Sequence, residues 1–153
     1  MTYRVIQWAT GGVGRAAIEH IARHPDLTLV GCWVHSKDKA GQDVGEIIGS
    51  DPLGVTATNS VEEILAIDAD CVLYAPLMPD SDEIATILRS GKNVVTPLGW
   101  FWPSEDERAR MEAPALEGGV TLHGTGIDPG GATEQQPLFF AGLSSAVTFV
   151  RGE

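Results

Sequence analysis

The sequence predicts an α/β fold, a doubly wound parallel sheet with helices on both faces. Two observations predict it. Short apolar runs of strand length alternate with segments of helical period from one end of the chain to the other, the pattern of repeated βαβ units. Residues 71–75 are almost wholly apolar, as a strand covered on both faces requires. At 153 residues the chain is long enough for one domain with a core of its own. A hydrophobic share of 43% with 18 Gly and 9 Pro fits a globular protein rich in tight turns and excludes a disordered or fibrous one.

Residues 3–9 read as the first strand. A glycine turn follows, and residues 15–24 then place Ala16, Ala17, Ile18, Ile21 and Ala22 at helical spacing until Pro25 and Asp26 end the helix. Residues 27–34 form a second strand, and 41–49 a short helix whose Val44, Ile47 and Ile48 can face the sheet. Residues 55–58 are a weak third strand. Asn59 or Ser60 caps the next helix, with Glu62 and Glu63 in the first turn where negative charge suits the helix dipole. The fourth strand, 71–75, leads to a helix over 80–89 that stops at Gly91, a left-handed cap. A fifth strand spans 93–96. The helix over 104–116 carries Glu105, Asp106 and Glu107 in its first turn, and 120–124 is the sixth strand. Beyond it come a glycine-rich loop at 124–131, a helix over 133–143 and a strand over 147–151 that the end of the chain interrupts.

The net charge of -11 and pI near 4.6 exclude nucleic acid and anionic membranes as partners, because both carry dense negative charge that this surface repels. An anionic small ligand therefore needs a locally positive site or one built of backbone amides. Cys32 and Cys71 lie in apolar, strand-like runs and read as buried, reduced thiols rather than a disulfide. No basic-then-apolar leader precedes the first strand and no apolar run reaches membrane-spanning length, so the expected location is the cytoplasm.

The strongest chemical signal is Ala9-Thr10-Gly11-Gly12-Val13-Gly14, set between the first strand and its helix. Two registers of a dinucleotide fingerprint fit: Ala9-x-Gly11-x-x-Gly14, which we favour, and Gly12-x-Gly14-x-x-Ala17. Either lets backbone approach a pyrophosphate at a helix N-terminus, so the sheet is expected to be of Rossmann type, with Thr10, Gly11, Gly12, Val13 and Gly14 holding the phosphates. The competing reading is a glycine-rich turn that binds nothing. After the second strand the usual ribose-binding acid is missing. The chain reads His35-Ser36-Lys37-Asp38-Lys39 instead, a hydroxyl and two lysines able to accept a 2′-phosphate. Ser36 and Lys37 are thus expected at the adenosine ribose, favouring NADP or dual use of NADP and NAD over NAD alone, unless the segment is a solvated loop of mixed charge.

The carboxyl ends of strands line the ligand crevice in such folds, which makes Ala75, Pro76, Leu77, Thr96, Pro97, Leu98, Gly124, Thr125 and Gly126 candidate contacts. Trp100-Phe101-Trp102-Pro103 could wall an apolar pocket, meet a partner subunit or serve loop packing. Asp128 is the one carboxylate of the 124–131 loop and the candidate catalytic group, able to bind an amine or relay a proton; an Asp before Pro is also ordinary turn chemistry. His20 and His24 stand at i, i+4, but no third ligand is evident and no metal is expected.

The glycine turn, residues 37–45, Asn93-Val94-Val95-Thr96 and residues 124–130 together resemble the dihydrodipicolinate reductase-like family, in particular the branch with 2,4-diaminopentanoate dehydrogenase and native amine dehydrogenases. The resemblance covers nearly the whole chain. It implies an NAD(P)-dependent oxidoreductase, usually a homodimer, that reversibly deaminates an amine to a ketone and ammonia. It also implies a C-terminal domain supplying much of the substrate pocket. On this basis residues 1–131 are expected to be the NAD(P)-binding domain, and 132–153 the start of a truncated second domain or a connecting segment.

Two departures accompany the resemblance. Amine dehydrogenases of this branch place a catalytic glutamate just after the fifth strand, where this chain has Pro97-Leu98-Gly99-Trp100. The basic His- and Lys-containing substrate motif of dihydrodipicolinate reductase proper has no counterpart. The expected function is the coenzyme-binding half of an oxidoreductase for a small amine, imine or carbonyl compound. The alternative is a non-catalytic dinucleotide-binding or interaction module that needs a partner chain.

Overall fold

The computed structural model describes residues 1–100, 103–128 and 130–149. Among them β1 (Tyr3–Trp8), β2 (Leu27–Trp33), β3 (Ala57–Thr58), β4 (Cys71–Tyr74), β5 (Asn93–Thr96) and β6 (Leu122–Gly124) form one sheet in the order β3-β2-β1-β4-β5-β6. Every neighbouring pair is parallel. This is the doubly wound Rossmann order, in which the chain reverses direction across the sheet between β1 and β4.

The alternation of side chains along each strand sorts the core into two layers. Ile18 of α1 (Gly12–Arg23) and Val44, Ile47 and Ile48 of α2 (Val44–Ile48) cluster with Cys32, Val34 and Ala57. On the other face Ile64 of α3 (Val61–Ala66), Ile84, Ile87 and Leu88 of α4 (Ser81–Arg89) and Met111 of α5 (Glu105–Gly118) meet Ile6, Trp8, Val72, Tyr74 and Val94. Burying a side chain of this size contributes about 1.5–3 kcal/mol, whereas an exposed ion pair such as Arg89–Glu117 contributes about 0–1 kcal/mol. Apolar packing, not that ion pair, therefore holds α4 against α5.

Local chemistry explains where the elements depart from expectation. The helix α1 starts at Gly12 rather than residue 15, so the glycine turn runs directly into its first turn. Only Val44–Ile48 of the expected 41–49 helix is helical, because Asp43 is the cap and pairs across to Thr56 in an antiparallel bridge. Ser60, not Asn59, caps α3. Cys71 is half-buried rather than buried, while Cys32 is buried; both are free. The helix expected over 133–143 is a wide turn, Gly131–Gln135, followed by the short α6 (Gln136–Ala141). In the wide turn Ala132 N donates to Ile127 O at 2.7 Å and Gln135 N to Gly130 O at 3.0 Å, five residues apart. Pro137, early in α6, has no N–H to give to the preceding turn. Residues 147–149 form no strand and have no ladder partner among the described residues, and the rest of that expected strand lies outside them. Neither the wide turn nor α6 buries a residue, and Leu138, Phe139, Phe140 and Leu143 are exposed. Among the described residues no helix is long and apolar enough to cross a membrane.

The Asp43 carboxylate ties α2 to the segment before β3. Its Oδ1 accepts from Gly45 N at 2.7 Å and Leu53 N at 2.8 Å, and its Oδ2 from Gly54 N at 2.8 Å. These amide bonds, that from Leu53 foremost, hold its pKa below the ordinary 3.8. A depressed carboxyl pKa stabilises the fold fully above the ordinary value and loses that stabilisation as pH falls through the depressed one. Asp43→Asn is therefore expected to lower the melting temperature at pH 7. The gap from the parent should narrow as the pH of the melt falls from the ordinary 3.8 through the depressed value, where the parent's carboxylate is neutralised as well.

Candidate functional site

The site is built on how α1 meets the end of β1. Ala9 takes φ +72°, a left-handed conformation that glycine enters freely and an L-residue adopts only at a cost. Its N–H donates to Trp33 O at 2.9 Å. A Cβ at position 14 would lie 2.2 Å from Ala9 O, so only glycine lets the helix come this close. Positions 11 and 12 are different: a Cβ there would meet nothing within 4 Å. Ala9 thus makes the tight turn, Gly11 leaves open space and Gly14 permits close helix–strand packing, which is the Ala9-x-Gly11-x-x-Gly14 register.

The N-terminus of α1 stands apart from those of the other sheet-packing helices. Asp43 caps α2, Ser60 caps α3, Asp80 caps α4 and Ser104 caps α5 in a reciprocal box with Glu107. Gly11 offers α1 no side chain, and its first turn holds no acid. Among the described residues the amides of Gly12, Val13 and Gly14 donate to no carbonyl or side chain. Three unpaired N–H groups with the positive end of the helix dipole form a receptor for an anion.

Among the described residues one cation is hydrogen-bonded to this turn. Lys39 Nζ donates to the hydroxyl of the buried Thr10 at 3.0 Å. The loop after β2 turns sharply at Ser36, whose carbonyl accepts from Lys39 N at 3.2 Å and whose hydroxyl accepts from Asp38 N at 3.3 Å. That turn carries Lys39 to the glycine turn and leaves Lys37 exposed. Of the two lysines in the loop after β2, Lys39 is the one brought in; only the loop geometry distinguishes them.

Ala75 N donates to Trp8 O at 3.1 Å, which sets buried Ala75 and half-buried Pro76 next to the turn. Thr125 N donates to Thr96 O at 2.9 Å, and Gly126 and Asp128 follow, exposed, on the loop after β6. Three strand spacings separate β6 from β1, about 14 Å across the sheet. The structure therefore gathers Thr10–Gly14, Lys39, Ala75 and Pro76, while Ser36 lies on the adjacent loop and Thr125, Gly126 and Asp128 at the far end of the same edge.

Behind the turn, on the opposite sheet face, Trp8 stacks on Trp33 with ring centroids 4.7 Å apart and meets Tyr74 at 6.1 Å. Tyr74 donates to Glu83 Oε2 at 2.6 Å and accepts from Asp80 N at 3.1 Å. Burial first, then that carboxylate, raises the phenol's pKa well above 10.0, so Tyr74 stays neutral and braces β4 against α4. Burial also pushes the Cys32 thiol up to about 12 and Cys71 to about 11, which leaves neither as a thiolate nucleophile at neutral pH. Trp100 packs over the second core layer and, with Met111, Ala115, Val120 and Leu122, lines a groove of about 280 Å³; Phe101 and Trp102 lie outside the described residues. His20 and His24 sit 5.5 Å apart near the end of α1. Among the described residues no three of His, Cys, Asp or Glu gather as a metal site.

The two glycines are separable by substitution. Gly14→Ala is expected to cost about 1–3 kcal/mol in urea denaturation through overpacking against Ala9 O. Gly12→Ala, facing open space, should leave the denaturation midpoint nearly unchanged.

Comparison with known proteins agrees with this fold. Residues 5–96, more than half of the chain, match the family described as dihydrodipicolinate reductase, N-terminus. An amine dehydrogenase of Streptomyces virginiae is 36% identical over 95% of this chain and 44% of its own length. A 4-hydroxy-tetrahydrodipicolinate reductase of Synechococcus elongatus is 48% identical over 41% of this chain and 23% of its own length. Among solved structures, the amine dehydrogenase of Mycobacterium smegmatis has the same fold, with a TM-score of 0.78 at 22% identity over 96% of this chain and 46% of that one. The chain thus spans less than half the length of these proteins. On its matched residues and its sheet order, the chain belongs to the dihydrodipicolinate reductase N-terminus family.

Proposed function

We propose that this chain is the dinucleotide-binding unit of an NAD(P)-dependent oxidoreductase acting on a small amine, imine or carbonyl compound. The observation that carries the reading is the uncapped, acid-free N-terminus of α1 beside open space at Gly11 and Gly12. The donor set fits the group. Thr10, Gly11, Gly12, Val13 and Gly14 hold the pyrophosphate through backbone amides and the Thr10 hydroxyl. Lys39, with Ser36 and Lys37 on the same loop, takes the adenosine ribose and its 2′-phosphate, which favours NADP or dual use. Ala75 and Pro76 lie along the path from the turn toward β5, and Thr125, Gly126 and Asp128 flank the nicotinamide end. The bound nicotinamide supplies hydride transfer. Asp128 holds the substrate amine or carries its proton.

The relatives' names support amine or imine chemistry: an amine dehydrogenase over 95% of this chain and 4-hydroxy-tetrahydrodipicolinate reductases over a shorter stretch. The working enzyme is a cytoplasmic homo-oligomer in which residues 132–153 lead toward the polypeptide that completes the substrate pocket. A second reading, a non-catalytic module that docks on another chain, draws on the exposed Leu138, Phe139, Phe140 and Leu143. Turnover of an amine with NADP by this chain would exclude it.

Calorimetric titration with NADPH and NADH at matched ionic strength tests the proposal. Binding of both, tighter for NADPH, is expected. Lys39→Glu should weaken NADPH by about tenfold or more while moving NADH less, the size of a lost charge-assisted hydrogen bond. Absence of binding to either cofactor by the folded chain would overturn the reading.

A further inference from the structure

A fully buried glutamine occupies the penultimate position of β1, two residues before Ala9. Gln7 has no exposed surface, although the strand around it is otherwise built for an apolar core. Its Nε2 donates to Trp8 O at 3.1 Å and to Ala9 O at 3.0 Å. Both partners are carbonyl oxygens, which only accept, so the NH₂ end of the amide must face them. Trp8 O is already engaged by Ala75 N in the sheet. Ala9 O is the atom that Gly14 packs against, and among the described residues Gln7 is its one hydrogen-bond donor. The other end of the amide, Oε1, is buried without a partner. An orphaned acceptor costs free energy, so the amide's placement is governed by the two carbonyls and not by its own satisfaction.

We propose that Gln7 is the positioning residue of the phosphate turn: its carboxamide holds Ala9 in the left-handed conformation and thereby aims the Gly12, Val13 and Gly14 amides at the ligand. The proposal rests on the dinucleotide reading for its consequence in binding, but not for its effect on the turn. Without the carboxamide, Ala9 O loses its donor while an L-residue still has to keep φ +72°. The turn then relaxes and the three amides no longer converge. With glycine at position 9 the left-handed conformation is no longer strained and the clamp matters less.

The experiment is a double-mutant cycle of Gln7→Met and Ala9→Gly on the whole chain, read in two ways. The first readout is amide hydrogen exchange at residues 9–14 without ligand. The second is the dissociation constant for NADPH. Gln7→Met is expected to speed exchange in the turn and raise the dissociation constant about tenfold, whereas in the Ala9→Gly background the same substitution should change it less than threefold. Unfolding of Gln7→Met alone, with the double variant folded, reports the same coupling. Equal effects in both backgrounds, unchanged exchange in Gln7→Met, or a double variant that cannot fold would each overturn the proposal, assigning Gln7 to the sheet alone. If the parent binds no cofactor the dinucleotide reading falls, and the role of Gln7 in the turn is still decided by the exchange cycle.

Discussion

The carbonyl of Ala9 sits where a side chain on residue 14 would collide with it, 2.2 Å from the Cβ position, and the geometry of the ligand edge follows from that approach. Because α1 comes so near to β1, its first amides stand at the end of an interior strand instead of out in solvent. Because Ala9 turns left-handed, the chain passes from strand to helix in three residues, Ala9, Thr10 and Gly11. The strand order places this junction between β2 and β4, where successive connections leave to opposite faces of the sheet and open a crevice. Packing density and ligand geometry are here one constraint. Glycines in the same turn therefore have opposite characters: packing requires Gly14, whereas Gly11 and Gly12 border open space.

Electrostatics at the site run against the charge of the molecule. A net charge of -11 repels an anion at long range, yet beyond a Debye length of about 8 Å that repulsion is largely screened at physiological salt. Within the turn the determining groups are three unpaired amides and the Lys39 ammonium. The absence of a capping side chain and of first-turn acids keeps those amides free, while every other sheet-packing helix spends an oxygen on its own N-terminus.

Periodicity and turn residues in the sequence locate the six strands and the five sheet-packing helices to within a few residues, because burial on both faces imposes its pattern on each element. The glycine turn is equally visible, since a strand, two adjacent glycines and a helix leave few alternatives. Loop geometry is not written in that way. Lys37 and Lys39 are equivalent on paper, and only the turn at Ser36 selects Lys39. Residues 133–143 have helical composition, but Pro137 leaves the turn before it a donor short. Gln7 did carry a signal, a polar residue inside an apolar strand, whose meaning depends on Ala9 adopting a left-handed turn that no propensity assigns to alanine.

The most direct test of the account is an amide NMR titration of the chain with NADPH. The account predicts that the largest perturbations fall on the amides of Gly11, Gly12, Val13 and Gly14, with Lys39 and Ala75 next. Binding that leaves those amides unmoved, or perturbations centred on the groove lined by Trp100 and Met111, would contradict it.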